Sequence, residues 1–414
     1  MQLLLILALS PTIFSTRLRP LFLFWGGLFS LGSAEINQTK ILYLVGITLS
    51  LVVTILQTQF QLQAKQNRYI PSRYHVVFVI VLLLYFVNFF SAIYSGYAVT
   101  DIFRALVQIY IFIVGYYVCL YSAIQSHPKF IQNQIILLGL FASLATFFKW
   151  VQLRGDLQFT ASRIGLDADL VGLLALMLIL NRDTSGTRKR ENVLTGIVGF
   201  VIVLCFFFTF SRTLIVAIVL IILLALYFSQ QSLLKKVGKY TFAFLIFLSL
   251  LNFSFRYLSL GSSASLQNRY LRSVQLFASG GLSSQGLGSD QSLRLRDQQG
   301  EFAYSLWQEK KLFGFGILPP NITIDNFWGT LASSGIFGVI LLSLVFFLLL
   351  FAYGNKYSSL ISVRIAKQYF LLLILYTFIQ NWPTGKGPWF ATLLAVTFVV
   401  SETSKRIPKQ EFVT

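Results

Sequence analysis

The sequence predicts an all-α fold: a polytopic integral membrane helical bundle of about 12–13 transmembrane helices, with one long extracytoplasmic loop that contains short helices. Three observations predict it. Of 414 residues, 56% are hydrophobic and only 11% charged, where a soluble chain needs roughly a quarter of its residues charged to cover its surface. The apolar residues come in blocks, and Val76–Phe90, Ile197–Phe210, Leu214–Phe228 and Val339–Phe351 carry no charge. Repeated blocks of roughly 20 such residues read as spanning helices, which satisfy their own backbone hydrogen bonds inside lipid. Third, the basic residues behind the net charge of +19 sit at helix ends rather than in one stripe. That distribution argues against a nucleic-acid partner and for topological marking.

The elements follow in order. Leu3–Phe14 is short, lacks a basic leading region and a small-residue cleavage site, and reads as a retained helix. Leu3–Ala34 is either one span or a hairpin turning at Arg17–Arg19. Beyond it, basic clusters fall in alternate loops: Lys65, Arg68 and Arg73; Arg182, Arg188, Lys189 and Arg190; Lys235, Lys236 and Lys239; Lys356, Arg364 and Lys367; Lys405, Arg406 and Lys409. Placing all five on the cytoplasmic side satisfies the positive-inside rule with one threading and leaves the C-terminus inside. The chain then divides into N-terminal transmembrane helices (1–252), an outer loop (253–324), C-terminal transmembrane helices (325–401) and a cytoplasmic tail (402–414).

The outer loop is rich in Ser, Gly and Gln at Gly261–Ser265 and Ser279–Ser289. Its last part reads as an amphipathic helix, because Glu301, Phe302, Ser305, Leu306, Glu309 and Leu312 recur at helical spacing. A long structured loop among short ones is where function concentrates.

Several arginines break the charge rule. Arg163 and Arg212 lie at predicted outer helix ends, and Arg256, Arg269, Arg272, Arg294 and Arg296 lie in the outer loop. Guanidinium binds phosphate oxygens in a bidentate fork and keeps its charge. The set points to an anionic, lipid-linked ligand, with anchoring to lipid headgroups as the alternative. Asp325, directly before Asn326, Phe327 and Trp328, stands where the outer loop returns to the membrane. A carboxylate there suits a general base and equally an N-cap for the next helix. Asp167 and Asp169 fall inside a predicted span near its outer end; they read either as ligand contacts or as partners of Arg163.

Other chemistries fail on inventory. His75 and His127 are the only histidines, map near cytoplasmic helix ends and lack metal-ligand spacing. Cys119 and Cys205 lie in apolar helices, which supports neither a disulfide framework nor a zinc site. A Ser–His–Asp triad lacks an outer histidine. Gly280–Gly288 has no following lysine and no preceding strand, so it is not a nucleotide loop. The outer acids form no D-x-D pair for a divalent metal. No metal or cofactor is expected.

The order of these features resembles the bacterial O-antigen polymerase and O-antigen ligase superfamily, polytopic enzymes that transfer lipid-linked polysaccharide. Arg163-Ile164-Gly165 followed by Asp169-Leu170-Val171-Gly172 resembles the family's R-x-G segment opening a central helix. Ser211-Arg212-Thr213 resembles its turn between two apolar runs. Arg296 with Phe313-Gly314-Phe315-Gly316 resembles its loop pattern of arginine, helix and P-L-x-G-x-G. Asp325-Asn326-Phe327-Trp328 with Gly335-Ile336-Phe337-Gly338 resembles its return segment ending in G-I-x-G. The resemblance covers about Arg163 to Val345. Three departures stand out. Asp325 occupies the position where ligases of the superfamily carry a catalytic histidine, which favours a polymerase. The tryptophan shortly after the loop arginine is missing, with Gly300 nearby and Trp307 later. Lys311 replaces the proline that opens P-L-x-G-x-G.

The resemblance implies an inner-membrane glycosyltransferase facing the periplasm. Its donor would be a glycan on undecaprenyl diphosphate, its acceptor a second glycan, and its neighbours a flippase and a chain-length regulator. Arg163, Arg212, Arg272, Arg294 and Arg296 would bind the diphosphate, Asp325 would be the base, and Asp169, Asn326 and Trp328 would contact substrate. A ligase using the same donor is the alternative, and a secondary transporter is a second one, to be recognised by internal repeats and by broken helices at mid-membrane.

Overall fold

The computed structural model describes residues 2–31, 38–63, 72–152, 166–181, 189–208, 212–227, 291–316, 327–351, 360–379 and 386–406. Among them every regular element is helical. Helix α1 (Gln2–Leu9) passes through a 3₁₀ turn (Ser10–Phe14) and a bend at Ser15–Leu18 into α2 (Arg19–Leu31). The N-terminal apolar stretch is therefore two short helices that pack on each other, and the chain turns where the arginines stand. Pro11 at the start of the 3₁₀ turn and Pro20 in the first turn of α2 sit where a missing N–H costs no helical bond. Arg19 is buried, and its Nε donates to the Ile13 carbonyl at 2.7 Å. Its other nitrogens donate to Thr54 Oγ1 at 2.8 Å and Gln57 Oε1 at 2.6 Å, which fastens the bend to the next helix.

The chain continues as α3 (Gln38–Gln63), α4 (Ser72–Tyr94), α5 (Val99–Gln125), α6 (Pro128–Gln152), α7 (Leu166–Leu180), α8 (Lys189–Phe208) and α9 (Arg212–Tyr227). Then come α10 (Gln291–Glu309), α11 (Phe327–Phe351), α12 (Ile361–Ile379) and α13 (Lys386–Arg406). Among the described residues, four stretches are long and apolar enough to cross a membrane: Gln38–Gln59, His75–Tyr94, Pro128–Phe148 and Phe327–Leu348. Their uncovered faces are apolar as well. Exposed Ile41, Val45, Leu49, Val52 and Leu56 make a stripe at helical spacing on α3, and Val76, Val79, Leu83, Phe86, Phe90 and Ile93 make one on α4. A water-soluble helix would turn polar side chains outward there; these stripes suit contact with lipid.

Among the described residues, helix α13 lies deep in the bundle. It packs against α5, α7 and α12, and its side chains from Trp389 to Val400 are buried. The Trp389 ring lies 4.9 Å from Phe112 and 5.8 Å from Tyr85. Helices α6 and α7 approach so closely that a Cβ added at Gly139 would stand 2.2 Å from the Ala175 Cβ. Small residues at such crossings let backbones come together where lipid supplies no hydrophobic drive between helices.

Contacts at the helix ends agree with the charge pattern on which loops share a side. At one end Ser126 Oγ donates to the Arg17 carbonyl at 3.2 Å, and Glu402 Oε2 accepts the Ser362 N–H at 2.9 Å. Just inside that end, Asn181 and Gln368 exchange two amide hydrogen bonds of 2.7 and 3.1 Å. At the other end the α4–α5 turn meets the segment that follows α10.

Candidate functional site

The loop helix predicted from periodicity is present as α10, longer toward its N-terminus than the apolar spacing indicated and ending at Glu309. Leu312 lies beyond it. The packed face is Gly300, Ala303 and Leu306, while Phe302 is exposed. Ala303 is fully buried and packs with Ala332 of α11, so α10 lies along the first half of α11.

What joins the two is a backbone interlock. After α10 the chain turns through Lys310–Gly316, and the Gly314 N–H closes the turn on the Lys310 carbonyl at 2.9 Å. The turn inserts into a break in α11 at Gly335, where φ is 63° and ψ is −173°. Phe315 N–H donates to the Ala332 carbonyl at 2.8 Å and Gly316 N–H to the Ser333 carbonyl at 2.7 Å. In the opposite sense, Ile336 N–H donates to the Lys311 carbonyl at 2.9 Å and Phe337 N–H to the Leu312 carbonyl at 3.0 Å. Irregular backbone within a spanning helix survives only where protein satisfies it, and here each of these four α11 groups has a partner.

Glycine is required at three places in the interlock, Gly314, Gly316 and Gly335, and the last two show why. Gly335 occupies the left-handed region, and a Cβ there would lie 2.2 Å from the Leu312 carbonyl oxygen. Gly316, with φ of +82°, lies so close to α4 that a Cβ would stand 2.3 Å from both the Ala92 nitrogen and the Asn88 carbonyl oxygen. Side chains secure the same junction. Ser91 Oγ donates to the Gly314 carbonyl. Lys310 Nζ donates to Ser95 Oγ at 2.8 Å and lies 4.9 Å from the centre of the Tyr94 ring and 4.6 Å from that of Phe315. A cation held between two ring faces gains from their quadrupoles. Burial pushes the phenol of neighbouring Tyr97 above its ordinary range, so it stays neutral.

Of the residues predicted to bind substrate or act on it, Trp328 and Asp169 have their side chains placed. Trp328 opens α11 on its exposed side, in an aromatic cluster: its ring is 4.9 Å from Tyr304, 6.0 Å from Trp307 and 6.3 Å from Phe327. Asp169 is buried in the first turns of α7. Arg212 is the first residue of α9, and Arg294 and Arg296 lie in the first turns of α10; only their backbone is described. Arg163, Arg272, Asp325 and Asn326 lie outside the described residues. His75 and His127 are exposed at helix starts, and Cys119 and Cys205 are free and buried. Among the described residues no three His, Cys, Asp or Glu side chains gather around a common point.

Sequence reasoning missed Lys310, Ser91 and Ser95. Lys310 carried a signal, since Lys310-Lys311 is a basic pair in the same loop, expected from the sequence to be outer, as the arginines, and would break the same charge rule. The two serines carried none, because a hydroxyl in or just past the last turn of a helix is unremarked until a partner arrives. Compared with protein-family models and with curated proteins, the sequence gives no match.

Proposed function

We propose that this chain is a metal-independent membrane glycosyltransferase. It would polymerise undecaprenyl-diphosphate-linked repeat units at the outer face of the bacterial cytoplasmic membrane, through about 12–13 spans with the C-terminus inside. The observation that carries the reading is the interlock. Phe313–Gly316 and Gly335–Gly338 belong to two of the four segments on which the family resemblance rests, and they meet at the break in α11: the Phe313 and Phe337 rings are 5.6 Å apart, and backbone hydrogen bonds join 311–316 to 332–337 around them. A chance pair of glycine-rich strings would have no reason to meet. The junction also fixes α10, which carries Arg294 and Arg296, against the helix that directly follows Asp325 and Asn326.

The chemistry follows from the residue types. The hydroxyl oxygen of the acceptor glycan attacks the anomeric carbon of the donor, and the bond from that carbon to the diphosphate oxygen breaks. Asp325 takes the hydroxyl proton. Negative charge grows on the departing undecaprenyl diphosphate, where fixed guanidinium groups of Arg163, Arg212, Arg272, Arg294 and Arg296 stabilise it more than they stabilise the ground state. Asn326 and Trp328 border the glycan, and Asp169 contributes from the buried start of α7. Transfer to a lipid acceptor, as in a ligase, would use the same donor and leaving group.

The break in α11 is the feature that a secondary transporter would also show. In such proteins the ends of the broken helix face an ion or substrate; here the 310–316 turn occupies them, which favours the glycosyltransferase. The test is genetic. In a strain lacking its own polymerase, wild type should restore long polysaccharide chains, whereas Asp325→Asn and Arg212→Ala should cut the rate by about 100-fold or more and leave short chains. Normal chain lengths from both variants would defeat the assignment.

A further inference from the structure

We infer that α11 is a two-state helix, held broken at Gly335 by the docked 310–316 turn and continuous when that turn leaves. The inference stands apart from the enzymatic reading and concerns only the backbone of this junction.

It rests on which groups the turn has taken. In an unbroken α-helix each N–H bonds the carbonyl four residues back, so Ile336 would bond Ala332 and Phe337 would bond Ser333. These are the same four α11 groups that the turn occupies: Ala332 and Ser333 accept from Phe315 and Gly316, while Ile336 and Phe337 donate to Lys311 and Leu312. Docking therefore exchanges two helical hydrogen bonds for four to the turn. Undocking returns the α11 groups to each other and releases the Phe315, Gly316, Lys311 and Leu312 groups to other partners. None of these four α11 groups is orphaned in either state, which removes the penalty that normally forbids such a rearrangement in a membrane helix.

The rest of the junction sets the balance. Gly335 at φ 63° is the one residue type that returns to a helical φ without a steric toll. Ser91 and Lys310 hold the docked side through their contacts with Gly314, Ser95, Tyr94 and Phe315. The first half of α11, with Trp328 at its tip, is positioned by the break; straightening the helix re-aims Trp328 and moves the surface on which α10 rests. Discrete exchange of this kind is how small local changes become large motions of a packed element.

Amide-resolved hydrogen exchange on the full chain in lipid nanodiscs tests it. Gly316→Ala sets a Cβ against the α4 backbone and should undock the turn; Ser91→Ala loosens it more gently. In each variant, protection of the Phe315 and Gly316 amides should fall at least about tenfold, while Ile336 and Phe337 stay protected because they return to helical partners. Loss of protection at Ile336 and Phe337 together with the turn would overturn the inference, since the break would then persist unaided. Unchanged protection of the turn in both variants would overturn it too. Should Gly316→Ala also expose α7, reporting loss of the whole bundle, Ser91→Ala decides alone by the same two criteria.

Discussion

Gly172 in α7 and Gly335 in α11 are both glycines inside apolar helices, yet one leaves its helix continuous and the other breaks it. At Gly172 the missing Cβ makes room for neighbours: an added one would meet the Phe206 ring at 2.2 Å and Ser143 Oγ at 2.7 Å. At Gly335 the missing Cβ admits a backbone, that of Leu312 and Phe313, and permits a φ of 63°. A glycine, then, does not break a membrane helix by itself. A break needs a second segment with free N–H and carbonyl groups at the right separation, and α7 has buried side chains where α11 has the 310–316 turn.

Substitutions can test that contrast, and the largest effect belongs to Gly335→Ala. A side chain in the left-handed region costs about 1–2 kcal/mol, and the overlap with the Leu312 carbonyl adds about 1–3 kcal/mol. Proteolysis within 291–316 should accelerate while the melting temperature of the bundle moves much less. Next comes Gly139→Ala, which pushes α6 from α7 and should destabilise the bundle by about 1–3 kcal/mol, read as a lower melting temperature with no gain in cleavage at 291–316. The two variants should thus separate local from global loss; the same signature from both would erase the distinction.

A smaller effect is expected of Lys310→Met, which keeps the aliphatic stem but removes the ammonium between two rings and its bond to Ser95. Loosening of the α10 segment by about 1–2 kcal/mol is expected, with Lys310→Arg retaining most of the docking; equal loosening by Met and Arg would show that the charge is not what holds it. The smallest belongs to Gly196→Ala in α8, where nothing lies within 4 Å of the added Cβ. Helix propensity alone then applies, and stability should rise by up to about 1 kcal/mol. A drop in melting temperature there would reveal a neighbour that the packing does not include.

Much of this architecture is legible in the order of the amino acids. The apolar blocks Val76–Phe90, Ile197–Phe210, Leu214–Phe228 and Val339–Phe351 mark α4, α8, α9 and α11, because long uncharged apolar runs have few other stable arrangements. The spacing of Glu301, Phe302, Ser305 and Leu306 marks α10, although its packed face runs through Gly300 and Ala303, small residues that hydropathy scores poorly. The alternation of basic clusters groups the loops near Arg182, Arg364 and Lys405 at one end, and the Asn181–Gln368 and Ser362–Glu402 contacts join those same regions. For the candidate site, the strings Phe313–Gly316 and Gly335–Gly338 are visible in the sequence, but the backbone hydrogen bonds that join 311–316 to 332–337 and bring the strings together are not. Backbone hydrogen bonds between segments leave no trace in side-chain pattern beyond the glycines they require.

Sequence alone therefore points to a helical chain with membrane-length apolar segments, which the described residues bear out, and it marks the glycine-rich turns worth watching. Hydropathy and charge are summed over many residues, so they survive ignorance of the fold. Three features came only with the packed chain: α13 buried among α5, α7 and α12, Arg19 as a buried fastener, and one turn completing another helix's broken hydrogen bonds. Each depends on which distant segments meet, a matter of geometry that no local run of residues encodes.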